Sequence, residues 1–172
     1  MIYIEKEGLS DDLNRQIIEI RKSDAWKHIK KDNAESIRQV FDNEFPKNEV
    51  KAVLIHEQRG LCAYCMRRIR MDSHSRIEHF IPLSADKEKA IDYGNMLGVC
   101  DGGEKITGQQ GHHILCCDAH KRETVISTSP LNKLQMDEIG FPNRQCPSGN
   151  RDFHIVKETT PKPTLTIIIK RF

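Results

Sequence analysis

Apolar residues near the start of the chain recur at helical spacing. Leu13, Ile17 and Ile20 are three or four positions apart, which places them on one face of a helix. Ser10 precedes them and is followed by two aspartates. This order is typical of a helix N-terminus, because a hydroxyl can cap the first amide groups and acids favour the positive end of the helix. The pattern predicts one or two helices over residues 11–31.

Two further helices are predicted before the middle of the chain. One begins at Asn33, a good capping residue, continues to Phe41 and is interrupted by Pro46, which cannot continue a helix. The next covers residues 47–58, with apolar positions on one face, and ends at Gly60. We expect these helices to pack on a core that the following segment forms.

Shorter elements are predicted in the middle of the chain. Residues 62–82 alternate and turn, which indicates a zinc knuckle followed by a β-hairpin with its tip at residues 72–75. Residues 92–100 indicate a loop or a short helix, and residues 102–111 form a glycine-rich polar loop. Residues 117–124 are typical of a short helix. Together with the N-terminal helices, these elements predict an α+β fold.

Prolines punctuate the last third of the chain, which predicts loops and short strands there. Its clearest strand covers residues 165–170. We therefore divide the chain into an N-terminal helical region (1–53), a core (54–125) and a C-terminal extension (126–172).

The composition is that of a chain with a modest core, since 37% of residues are hydrophobic and 30% are charged. No apolar run is long enough to span a membrane, and the N-terminus has no secretory signal pattern, so we expect a cytoplasmic protein. The net charge of +2 neither supports nor excludes nucleic-acid binding. Arginines such as Arg67 and Arg68 cluster locally, and either an ordinary solvated surface or a phosphate-binding surface explains them.

Four cysteines have the spacing of a zinc site. A C-x-x-C pair can clamp one Zn²⁺, and two more thiolates complete a tetrahedral shell, so the site predicted is structural. The residues are Cys62, Cys65, Cys100 and Cys117. Disulfides would need a secreted protein, which the N-terminus does not indicate. Cys116 and Cys146 are left over as thiols, and Cys116 could replace its neighbour as a ligand.

Around these cysteines the sequence resembles the HNH endonuclease superfamily. The resemblance covers residues 54–121 and lies in Cys62-x-x-Cys65, Glu78-His79-x-x-Pro82, Asn95, Cys100 and Cys117-Asp118-x-x-Lys121. The longer strings EQRGLCAYC, IEHFIP, DYGNMLGVC and CCDAHK look like the HNH nuclease subunit of Septu-type anti-phage defence systems. The fold that the resemblance implies is a zinc-stapled ββα-metal core.

The resemblance also implies roles for the residues of this motif. Glu78 and Asp118 would bind a catalytic Mg²⁺ or Mn²⁺, and His79 would be the general base. Asn95 would orient His79 and its loop. Lys121 would contact phosphate of the substrate. Beside such a motif, a phosphate-binding role is also favoured for the local cluster of arginines, which are Arg59, Arg67, Arg68, Arg70 and Arg76.

Two departures from the family pattern leave alternatives open. The last metal position is usually His or Asn, and here it is Asp118, so His120 is a rival ligand. Sixteen residues separate Cys100 from Cys117, where two are usual. If Cys117 is not a zinc ligand, His112 and His113 are credible replacements.

The function expected from these features is metal-dependent hydrolysis of phosphodiester bonds, with DNA favoured over RNA. A zinc-stapled module that binds nucleic acid or a partner without cutting is the alternative. The chain has no ATP-binding motif, and the resemblance implies an ABC-type ATPase partner that controls cutting. We expect this ATPase to dock on the N-terminal helices or on the C-terminal third.

Overall fold

The computed structural model of the chain describes residues 1, 3–30, 33–104 and 115–138. Four helices come first, followed by a strand, two short 3-10 helices, a second strand and two more helices. In chain order they are α1 (Asp11–Lys22), α2 (Asp24–His28), α3 (Ala34–Asn43), α4 (Lys47–Glu57), β1 (Ser75–His79), 3-10 helices at Lys87–Ile91 and Tyr93–Asn95, β2 (Met96–Cys100), α5 (Cys117–Lys121) and α6 (Lys133–Glu138).

The predicted N-terminal helices are confirmed, and their caps explain the boundaries. The Ser10 hydroxyl accepts a hydrogen bond from the amide of Leu13 at the start of α1. Ser23 ends α1 and caps α2, so the predicted stretch forms two helices. The Asn33 side chain caps α3 in the same way by accepting from the amide of Ser36.

The β-hairpin predicted after the zinc knuckle is wrong, whereas the turn of the knuckle is present and is closed by an antiparallel bridge between Leu61 and Arg68. β1 pairs antiparallel with β2, in a register that runs from Ser75 opposite Cys100 to His79 opposite Met96. β2 lies where a loop or short helix was predicted. Every residue of β2 is buried, so the strand has no polar alternation by which its sequence could be recognised.

The two strands lie between two hydrophobic clusters. On one face, Met96 joins a cluster built from the N-terminal helices, which includes Ile37 and Leu54. On the other face, Leu97 and Val99 join a cluster that contains the cysteines. Successive strand residues point to opposite faces, so this short sheet connects the helical layer to the cysteine-rich layer.

The segment before α1 also packs against this core. The Lys6 ammonium donates to the Glu57 carboxylate at 2.7 Å and to the carbonyl of Met96 at 2.6 Å. The amide of Ile4 donates to the carbonyl of Pro130 at 2.8 Å. The chain start therefore links α4 and β2 to the region that follows α5.

α6 forms where loops and short strands were predicted, whereas the predicted strand 165–170 and Cys146 lie outside the described residues. Within the described ranges, no helix combines the length and the apolar character needed to cross a membrane.

Candidate metal centres

The four predicted cysteines converge on one point between β2, α5 and the turn after α4. The sulfur atoms of Cys62, Cys65, Cys100 and Cys117 all lie within 4.8 Å of one another. Three sulfur–sulfur separations are 3.6, 3.8 and 3.9 Å. A tetrahedron of thiolates with Zn–S bonds of about 2.3 Å has edges of about 3.8 Å. The spacing of the sulfurs therefore fits a structural zinc.

The electrostatics of the cluster also require a cation if all four sulfurs are to be thiolates. Contacts with the Cys100 and Cys117 sulfurs lower the pKa of Cys62. Contacts with the Cys100 and Cys62 sulfurs raise the pKa of Cys117. Ionisation of one thiol thus opposes ionisation of another. A cation such as Zn²⁺, bound among the four sulfurs, would allow all of them to be thiolates.

The long insertion before Cys117 does not prevent the fourth cysteine from reaching the cluster. The amide of Cys116 donates to the carbonyl of Gly102 at 3.0 Å, which joins the two ends of the insertion. Gly102 has a φ of +62°, and a side chain there would collide with the Cys116 carbonyl and the side chain of Ala119. Among the described residues Cys117, and not Cys116, is in the cluster; His112 and His113 lie outside those residues.

Next to the cysteine cluster, β1 and α5 bring two carboxylates together. Glu78 on β1 and Asp118 on α5 are close enough for the Asp118 carboxylate to raise the pKa of Glu78. Glu78 is 6% exposed, and its Oε1 accepts from the Lys121 ammonium at 2.6 Å and from the Tyr64 hydroxyl at 3.2 Å. Burial, together with the neighbouring Asp118, raises the pKa of Glu78 to about 8 in spite of Lys121. Two adjacent carboxylates of this kind are suitable ligands for Mg²⁺ or Mn²⁺.

His79 points to the opposite face of β1 from Glu78. Its Nε2 lies 2.9 Å from the carbonyl oxygen of Ala90, and its ring packs edge-on against Phe41 with centroids 4.7 Å apart. A carbonyl can only accept, so Nε2 carries the proton and the lone pair is on Nδ1. Burial lowers the pKa of His79, which favours the neutral imidazole that a general base requires.

Asn95 holds the loop that follows His79. Its Oδ1 accepts from the amide of Ile81, and its Nδ2 donates to the carbonyls of Ile81 and Lys89. Its own carbonyl accepts from the amide of Phe80. These bonds use both N–H groups and the oxygen of the side-chain amide to fix the loop, whereas the orientation of His79 by Asn95 stays a prediction.

The structure corrects the role predicted for Lys121. Its side chain is 1% exposed, and its ammonium donates to Glu78 and to the carbonyl of His79. Lys121 therefore balances the charge of the buried carboxylates and is not placed to contact phosphate. Arg67 and Arg68 are exposed on the turn beside the cysteine cluster.

Of the two rival metal ligands on α5, Asp118 is the residue that lies beside Glu78. His120 is exposed, and because it lies two residues after Asp118 on a helix, the two side chains face different directions.

One residue of this site, Tyr64, was not predicted from the sequence. It lies inside the C-x-x-C pair and connects the cysteine cluster to Glu78. Arg76 was predicted only as one of the arginines that cluster around the cysteine pair. It precedes Glu78 by two positions on β1, so it shares a face with Glu78, and it contacts Asp118 at 3.3 Å. That spacing of two would have placed Arg76 beside Glu78, had the strand been recognised.

The chain matches no protein-family model, no curated protein and no solved structure at a significant level.

Proposed function

We propose that this chain is a metal-dependent HNH-type endonuclease that hydrolyses phosphodiester bonds, with DNA as the favoured substrate. The observation that carries the proposal is the pairing of Glu78 with Asp118 beside the four-cysteine cluster. The order strand, strand, helix of β1, β2 and α5 supports it, because this is the order that the resemblance to HNH nucleases implies.

Each part of the site has a role in this proposal. The cysteine cluster would hold a structural Zn²⁺ that ties α5 to β2. Glu78 and Asp118 would hold Mg²⁺ or Mn²⁺, which when bound supplies charge stabilisation at the scissile phosphate and the leaving oxygen. His79, kept neutral by burial and oriented by Ala90, would accept a proton from the attacking water at Nδ1. Asn95 would keep the loop after β1 in place.

The biological setting follows from the resemblance to Septu-type nuclease subunits. We infer that the chain is the effector of an anti-phage complex in the cytoplasm, where an ABC-type ATPase restrains its cutting. A nuclease that can attack host DNA needs such control.

One observation favours the alternative of a binding module without catalysis. The Lys121 ammonium is 2.6 Å from Glu78 and balances the charge of this buried carboxylate. A catalytic metal ion is then not needed to explain why the carboxylate is buried. The pKa of Glu78 is nevertheless raised to about 8, so Lys121 alone does not make its anion favourable. A divalent cation bound by Glu78 and Asp118 would favour the anionic form of both carboxyl groups.

The deciding experiment incubates the purified protein with plasmid DNA, linear DNA and RNA in parallel, with and without Mg²⁺ or Mn²⁺. We expect metal-dependent cutting of DNA, and cutting of RNA alone would change the substrate class. His79→Gln and His79→Ala should each lower the rate by about 100-fold or more, since a general base is lost.

His56→Ala is the matched control, because the side chain of His56 is 84% exposed on α4. His79 is buried, so both His79 variants must retain zinc and a cooperative unfolding transition for the comparison to count. If folded His79 variants cut as fast as the wild type, the assignment of the base is wrong. If no nucleic acid is cut in any metal, the binding module is the better description.

A further inference from the structure

A second cation beside the carboxylate pair is placed differently from Lys121. Arg76 extends from the same face of β1 as Glu78, and its guanidinium lies 3.3 Å from Asp118 Oδ2. Its side chain is 32% exposed, whereas that of Lys121 is 1% exposed. Of these two cations, Arg76 is the one that a molecule arriving from solvent can reach.

The second nitrogen of this guanidinium already has a carboxylate partner. Nη2 donates to Glu104 Oε2 at 2.8 Å and to the carbonyl of Asp101 at 2.9 Å. Glu104 lies in the insertion between the third and fourth cysteines, in a turn where its amide donates to the carbonyl of Asp101. A nuclease core with the usual two-residue spacing would have no such residue. The insertion therefore supplies the carboxylate that pairs with Nη2 of Arg76.

The chemistry of the Arg76 guanidinium suggests that a phosphate can take the place of the Glu104 carboxylate on it. A guanidinium presents paired N–H donors that suit carboxylate and phosphate equally well. The Glu104 side chain is 44% exposed, and ion pairs at exposed positions contribute little to stability, so this carboxylate can leave at small cost. Asp118 is 18% exposed and stays beside Glu78. A phosphate could therefore replace Glu104 on Arg76 without disturbing the carboxylate pair.

We propose that Arg76 binds a phosphate of the nucleic-acid backbone and that Glu104 occupies its guanidinium when no nucleic acid is bound. Glu104 is then a built-in competitor that weakens substrate binding. This inference rests on the proposed function for the identity of its ligand, and it adds a phosphate-binding residue and a control on that residue.

The test measures binding in the absence of added divalent cation, so that cutting does not interfere. A fluorescently labelled DNA duplex is titrated with wild type, Glu104→Gln, Arg76→Gln and the double variant at several salt concentrations. Asp42→Asn is the matched control, because it removes one negative charge from another exposed ion pair, with Lys47. Zinc content and thermal unfolding confirm that each variant is folded.

We expect Glu104→Gln to tighten binding about two- to fivefold beyond the effect of Asp42→Asn, since an exposed ion pair no longer competes. Arg76→Gln should weaken binding and reduce the slope of log K against log salt concentration by about one, as expected for one lost phosphate contact. Adding Glu104→Gln to Arg76→Gln should then change affinity no more than Asp42→Asn does.

The inference is overturned if Glu104→Gln behaves like Asp42→Asn, if its effect persists without Arg76, or if the wild type binds no DNA. Plasmid cutting is measured separately. A protein that cuts DNA but binds it equally well without Arg76 contradicts only this inference. A protein that binds through Arg76 but never cuts contradicts only the nuclease proposal.

Discussion

Two neighbouring residues, Glu78 and His79, have different environments because they lie on opposite faces of β1. Glu78 enters the cysteine-rich layer, where Tyr64 and Lys121 hold it beside Asp118. His79 enters the helical layer, where Phe41 and Ala90 fix its ring. At the residue scale, β1 thus places the candidate base His79 and the candidate metal ligand Glu78 on opposite faces, although the two residues are adjacent in sequence.

A prediction at this scale separates Asp118 from His120. Asp118→Asn should weaken Mg²⁺ or Mn²⁺ binding and abolish metal-dependent cutting, because the amide carries no charge to hold the cation. His120→Ala should change neither, since His120 is exposed and lies two residues from Asp118 on the helix, where the two side chains face different directions. Calorimetric titration with Mn²⁺ and plasmid cutting are the measurements. Loss of both in His120→Ala, with both retained in Asp118→Asn, would reverse the assignment.

The sequence allowed the identity of these residues to be predicted better than their surroundings. The four cysteines follow from spacing, because metal chemistry restricts which residue types can serve. The Glu78–His79 pair was predicted from the resemblance to HNH nucleases. The environment of Lys121 could not be predicted in this way. Lysine is rarely buried, so its sequence gives no sign of burial. Only the structure shows that the Lys121 ammonium contacts the Glu78 carboxylate.

At the scale of elements, the site depends on how β2 and α5 are joined. β2 was missed because its residues are all buried and its partner β1 is separated from it by sixteen residues. The helices α1 to α4 were predictable because their caps and apolar spacing are local signals. Pairing between distant strands is not a local signal, which explains why the predicted hairpin was wrong.

The element-scale prediction concerns zinc. Cys62→Ser should give unfolded or insoluble protein, because structural zinc contributes about 10–16 kcal/mol in small zinc domains, as much as the whole stability of a typical domain. Cys116→Ser is the control, since this neighbouring thiol lies outside the cluster. Elemental analysis should find one zinc per wild-type chain. Folded, active protein without zinc would contradict the prediction.

At the scale of the whole molecule, the N-terminal helices do more than flank the core. Residues of α3 and α4 form one of the two hydrophobic clusters, and the segment before α1 contacts both α4 and β2. Deleting this region would remove part of the core itself. Any docking role must therefore belong to exposed positions, such as Ile18 on α1, which is 46% exposed.

The last prediction is the partner. If an ABC-type ATPase docks on the flanks, the surface near Glu78 and Asp118 stays free for nucleic acid. Ile18→Glu or truncation after residue 138 should then reduce co-purification of the ATPase, because each removes part of a flank and leaves the described core in place. Met71→Glu is the matched control, since Met71 is an exposed apolar residue, 51% exposed, next to the arginine-rich turn. Loss of binding in Met71→Glu, with both flank variants unaffected, would place the ATPase on the nuclease core. Failure of the full-length chain to bind any ATPase of a Septu-type system would remove the basis for regarding this chain as such an effector.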